Sequence, residues 1–281
     1  MIKKILLAGA ATALISGAAS AADLPRRAAP PVFVPVPVFT WTGFYFGINA
    51  GYAFTENDRV RTTGINNLPA PGANLQLNVD RNLRRPVVPL ATEGFTGGGG
   101  IGYNYQFTPG NGIVVGIEAD AQYTDLQTRR VENTTNLAFN PNVLTNTYRS
   151  DLNFLGTVRG RIGYAFDRVL VYGTGGFAYG DVTQAVTFQT GAPVTYAVAR
   201  SNIETGYTYG GGIEYALPTE SFLNFFKASA VTVKGEYLRY DLGSRTLLVG
   251  STGGPGIGYN SRFSTEGSIA RAGINYKFGS Y

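Results

Sequence analysis

Neither cysteine nor histidine occurs in the 281 residues, and the one methionine is Met1. Without cysteine there is no disulfide framework to stabilise a small core. Without histidine the commonest general base and metal ligand is missing, and with it the hydrolases that depend on that residue. Haem could be ligated only through tyrosine. Charged residues make up 15% of the chain, and the net charge of +5 is scattered among acids. The densest basic cluster, Arg81 with Arg84 and Arg85, precedes Pro86, so no nucleic-acid patch is expected. No run resembles a membrane helix. The glycine run at 97–100 is followed by no helix that could offer backbone donors to a phosphate, and it reads as strand. Neither catalytic residues, nor a metal site, nor a cofactor is expected.

Glycine and aromatics are plentiful instead, with 38 Gly, 18 Tyr and 17 Phe, and the mean hydropathy is near zero. Strands that face lipid on one side and a lumen on the other average to that value. The last segment carries the pattern openly. Ala270, Ala272, Ile274, Tyr276 and Phe278 share one face, while Arg271, Gly273, Asn275 and Lys277 share the other. Near the start, Phe44, Phe46, Ile48, Ala50, Tyr52 and Phe54 alternate with Tyr45, Gly47, Asn49, Gly51 and Ala53. Eight such strands are expected, at 42–54, 94–107, 112–124, 150–166, 169–180, 204–217, 230–241 and 265–278. Their connections alternate between short ones and others of roughly twenty to forty residues, as in bacterial outer-membrane barrels. The expected fold is all-β: an eight-stranded antiparallel transmembrane β-barrel with four long extracellular loops and short periplasmic turns. The apolar stretch at 221–226 is unusual for a turn and reads only as a flap on the periplasmic rim.

Alternation also assigns facing. Leu152, Phe154, Val158, Ile162 and Tyr164 are expected outside, as are Val231, Val233 and Tyr237. Turned inward are Glu118, Asp120, Glu214 and Glu236, against Arg159, Arg161, Lys234 and Arg271. An eight-stranded interior is just wide enough for side chains to fill it. Opposite charges placed there must meet and be hydrogen-bonded, because an unpaired one would cost several kcal/mol. A general acid/base role for the same carboxylates is the sharper reading. Their mid-strand depth, away from any substrate mouth, favours charge balance.

The chain opens with Lys3 and Lys4, an apolar run at 5–15 and Ala19-Ser20-Ala21, the pattern of a secretory signal peptide over 1–21, cut between Ala21 and Ala22. A Pro-rich periplasmic linker, 22–40, and a barrel domain, 41–281, are expected to follow.

Ala-Asp-Leu-Pro at 22–25, Trp-Thr-Gly-Phe-Tyr-Phe-Gly at 41–47, Tyr-Gly-Thr-Gly-Gly-Phe-Ala-Tyr-Gly at 172–180, Gly-Gly-Gly-Ile-Glu-Tyr-Ala-Leu at 210–217, Lys-Gly-Glu-Tyr-Leu-Arg-Tyr-Asp-Leu-Gly at 234–243 and Asn-Tyr-Lys-Phe at 275–278 carry a resemblance. In combination they resemble the alphaproteobacterial outer-membrane immunogenic proteins, the RopB-type small barrels. The resemblance implies a barrel like the OmpA membrane domain, abundant at the cell surface and loosely called porin-like, and it implies no reaction. Haem binding attributed to some relatives is not carried over, because histidine is absent. Two departures stand out: residues 279–281 overhang Phe278, and Arg239 replaces a more usual aromatic. Ile274, Tyr276 and Phe278 are expected to form a C-terminal assembly signal. The expected partners are outer-membrane lipid and lipopolysaccharide, with the barrel assembly machinery and periplasmic chaperones during biogenesis. The expected role is a structural surface barrel with a salt-bridged, largely plugged lumen. The alternatives are a narrow channel for small ions or solutes, and ligand or host recognition through loops at 57–93 and 125–149.

Overall fold

The computed structural model describes residues 38–55, 58–65, 75–136, 140–189, 195–218, 220–252 and 257–279, without the side chains of 136 and 140–142. The signal peptide, its cleavage site at Ala21 and Ala22, and most of the Pro-rich linker lie outside the described residues. Among the described residues ten strands and one short helix follow in order: β1 (Gly43–Phe54), β2 (Arg59–Ile65), α1 (Leu75–Asp80), β3 (Val87–Pro89), β4 (Glu93–Gln106), β5 (Asn111–Asn136), β6 (Asn140–Phe166), β7 (Val169–Gln189), β8 (Thr195–Ala216), β9 (Ala230–Ser251) and β10 (Gly258–Phe278). Eight of them close a ring in the order β1-β4-β5-β6-β7-β8-β9-β10, and β1 pairs antiparallel with β10 to seal it. The seam runs from Phe44 opposite Phe278 to Phe54 opposite Ser268. Where β1 ends, β2 takes its place against Gly258–Phe263 of β10, and β3 pairs with β2.

The side chains that meet lipid are those the alternation placed outside. Ile48, Ile117, Val158, Ile162, Ile213 and Tyr237 are exposed on the outer face, and polar neighbours one residue away are buried. Beyond the membrane the strands continue. β5 runs to Asn136, β7 to Gln189 and β9 to Ser251, so most of three connections expected as long loops is strand. Their alternation persists with its sense reversed. On β7, Val182, Gln184, Val186 and Phe188 point in and are buried, while Asp181, Thr183, Ala185 and Thr187 are partly exposed to water. The first connection folds differently, as β2, α1 and β3. It contributes Val60, Leu75, Val79 and Val88 to a core shared with Tyr148, Phe188, Tyr259 and Phe263.

Two outward assignments need correction. A register shift on β6 between Leu152 and Phe154 brings both Leu152 and Leu155 inside, where they pack with Leu126, Val182, Leu238 and Leu242. Val231 is buried, not lipid-exposed. It sits across from Tyr276, at the corner of the outer wall where Leu223 and Phe226 of the preceding turn fold over that tyrosine.

The short turns ring one mouth of the barrel, and residues 39–41 are buried inside it. Phe39 and Trp41 pack with Val114, Leu170, Tyr172 and Ala216. The Trp41 indole N–H donates to the Asp167 carbonyl at 3.0 Å, and its backbone N–H to Gln106 Oε1 at 2.7 Å.

Candidate functional site

Between the apolar layer at the mouth and the one around Leu155 and Leu238 lies a layer of charge. Glu118 and Asp120 come from β5, Arg159 and Arg161 from β6, Glu214 from β8, Lys234 and Glu236 from β9, and Arg271 from β10. All eight are buried. The period of two turns each inward, and cross-strand register brings neighbours level: Glu118 lies opposite Arg159, Glu214 opposite Lys234 and Glu236 opposite Arg271.

Arg159 is the hub. Its Nη2 donates to Glu118 Oε1 and to Asp120 Oδ2, both at 2.6 Å, and its Nη1 to Glu236 Oε1 at 3.0 Å. Arg271 bridges Glu236, through Nε at 2.8 Å, and Asp120, at 3.2 Å. Lys234 Nζ donates to Glu118 Oε1 at 2.9 Å. Arg161 donates to Glu214 Oε2 at 2.8 Å, and its guanidinium lies 3.8 Å from the centroid of the Tyr172 ring. All four bases and all four acids therefore fall into one network.

Neutral side chains complete it, and these were not singled out from the sequence. Tyr45 donates to Glu118 Oε2 at 2.6 Å and accepts from Arg161 at 3.0 Å; Tyr172 donates to Glu236 Oε1 at 3.0 Å. Thr157 and Gln122 donate to Asp120, and Thr232 and Asn275 to Glu214. Each of the eight carboxylate oxygens thus accepts at least one hydrogen bond. The sequence held a signal for the tyrosines in the glycines that face them. A Cβ at Gly102 would lie 2.4 Å from the Tyr45 ring, and one at Gly212 would lie 2.8 Å from the Tyr172 hydroxyl. Both positions need a residue without a side chain.

The layer has no free carboxylate to serve as a base, and its acids are shared among arginines. Among the described residues no group of three or more His, Cys, Asp or Glu is arranged to hold a metal ion. On the outer wall Ile274, Tyr276 and Phe278 project outward, and Phe46 stacks on Tyr276 and Phe278 with centroids 5.8 and 5.5 Å apart.

A profile of the outer membrane protein beta-barrel domain matches residues 9–278. The 31 kDa outer-membrane immunogenic protein of Brucella melitensis is 31% identical over 288 residues, which cover 99% of this chain and 100% of that one. The 22 kDa outer membrane protein of Rhizobium leguminosarum bv. viciae is 31% identical over 189 residues, 66% of this chain and 68% of the other. Among solved structures, Ail, the attachment invasion locus protein of Yersinia pestis, aligns at 14% identity with a TM-score of 0.26, covering 82% of this chain and 99% of that chain.

Proposed function

As this chain belongs to the outer membrane protein beta-barrel family and resides in the outer membrane, we propose that it serves there as a structural, surface-displayed barrel with a filled, non-conducting interior. The observation that carries this reading is the charged layer. Eight ionised groups bridge opposite walls with no oxygen left over, and apolar layers lie on both sides of them. An ion crossing this layer would have to break several buried pairs at once, each costly to disrupt. No reaction is assigned, because the carboxylates are engaged with arginine, lysine, tyrosine and threonine rather than presented to a cleft. The immunogenic naming of the Brucella relatives supports display at the surface. In this reading the belt meets lipid and lipopolysaccharide, and Ile274, Tyr276 and Phe278 are what the assembly machinery and its chaperones recognise.

Planar-bilayer recording tests the proposal. The expected result is no stepwise conductance from the native protein and ion leakage from Arg159→Ala. Regular single-channel openings in the native protein would replace this reading with that of a narrow channel.

A further inference from the structure

The turn between β8 and β9 does not behave like a periplasmic loop. Phe222 is 83% exposed, Phe225 74% and Phe226 60%, yet the backbone around them is tightly built. Ser221 N–H donates to the Pro218 carbonyl, Asn224 N–H to that of Ser221, and the Asn224 side chain brackets Ala228 with bonds of 2.8 and 3.0 Å. Phe226 meets Tyr276 edge-on at 4.8 Å and Phe46 at 5.8 Å, and the Tyr276 hydroxyl donates to the Leu223 carbonyl at 3.0 Å. Phe46 and Tyr276 are cross-strand partners on the lipid side of the seam that closes the barrel. They stand two or three residues from their strand ends, about 6–8 Å inside the rim for strands tilted by about 40°. The turn is therefore folded up against the outer wall, continuous with the lipid-facing belt.

A water-facing cluster of three phenylalanines would be an aggregation hazard, whereas the boundary between headgroups and acyl chains suits both the rings and the exposed Lys227 beside them. We propose that residues 221–227 form a lipid-anchored clasp over the closing seam. Phe222 and Phe225 enter the periplasmic leaflet of phospholipid, and Phe226 locks the turn to Phe46 and Tyr276 across β1 and β10. The proposal rests on the outer-membrane location and is independent of whether the interior conducts.

The sole tryptophan, Trp41, is buried in the interior, so wild-type protein supplies the baseline for tryptophan placed in the turn. Phe222→Trp and Phe225→Trp are each reconstituted in phosphatidylcholine vesicles brominated at shallow or at deep acyl positions. The expected result is a several-fold loss of the added emission with shallow bromines, a smaller loss with deep ones, and little quenching by aqueous acrylamide. Adding Phe226→Ala to Phe222→Trp should release the turn and restore emission; undiminished lipid quenching in that double variant would overturn the clasp. Strong acrylamide quenching with no bromine effect would overturn lipid insertion. Shielding from both quenchers together with a dimer on crosslinking would do so too, by giving the patch to a second copy.

Discussion

Replacing Arg159 by alanine removes one guanidinium from the middle of the buried charged layer. The side chain is fully buried and spans Glu118, Asp120 and Glu236, which belong to two different walls of the barrel. Four acids against four bases become four against three, and the three stranded carboxylates are left to share Arg271, Lys234 and a more distant Arg161 with the Gln122 amide and hydroxyl donors. Breaking a buried pair by deleting one partner typically costs about 3–5 kcal/mol. With a urea dependence of about 2–3 kcal/mol per molar, the unfolding midpoint should fall by roughly 1–2 M. The assay is urea unfolding of the reconstituted barrel, read as loss of the heat-modifiable band on gels and of strand signal in circular dichroism. Two companions sharpen it. Arg262→Ala, on the exposed wall where Arg262 bonds Ser244, should leave the midpoint in place. Arg159→Ala with Asp120→Asn, which restores neutrality, should cost less than the two single substitutions added together. An Arg159→Ala midpoint equal to wild type would refute the reasoning, since it would mean the interior is wet enough to solvate the stranded acids.

Gly102→Ala should destabilise the barrel by pushing the Tyr45 ring off Glu118, whereas Gly160→Ala, where the nearest atom to a new Cβ is 3.9 Å away, should be tolerated; comparing the two midpoints checks this. Asp58, beyond the membrane, has its carboxyl pushed up to about 7 by burial, with Glu266 and Glu204 adding repulsion. The folded state therefore holds a proton that the unfolded chain releases near pH 3.9, and stability should fall as pH rises from about 4 through about 7. Asp58→Asn should flatten that slope in a pH series of unfolding midpoints. Phe278→Ala, which removes a ring stacked on Phe46, should cost about 3 kcal/mol and lower the yield of heat-modifiable barrel in outer-membrane fractions. Deleting residues 279–281 should leave that yield unchanged.

The membrane-spanning half of each strand was readable because lipid and lumen impose opposite chemistries on alternate residues. Above the membrane the outer wall meets water, so the apolar residues move to the inner face and the pattern changes phase. That is why Val182, Val186 and Phe188 on β7, and Leu247 and Val249 on β9, lie in segments that read as loops although they are core. On β7 the inward face stays on the even residues and only their chemistry changes, whereas on β6 the irregularity between Leu152 and Phe154 moves the inward face from odd to even residues, which no strict alternation can anticipate. The charged layer was legible because charge at mid-strand has one face to occupy, but Tyr45 and Tyr172 look like belt residues until the opposing glycine is considered. Arg84 is the opposite case. It sits in a polar stretch that reads as solvated, yet it is buried against Phe188 and Tyr259, where Asn146 and the Gln189 carbonyl accept from it.

The extension of the strands beyond the bilayer changes what an outside observer can read. Arg61 on β2 faces Arg262 on β10, and Arg129 on β5 faces Arg149 on β6, all exposed. Beneath them, buried one residue further along the same pair of strands, Thr62 and Ser261 touch although they are 199 positions apart in the chain. An antibody or receptor that grips this wall reads a two-dimensional mosaic whose adjacent tiles come from distant parts of the sequence. A synthetic peptide copied from one strand presents half of each pair, and boiled protein presents none in register. Sera raised against the native surface should therefore be blocked by folded barrel far better than by any linear fragment of it.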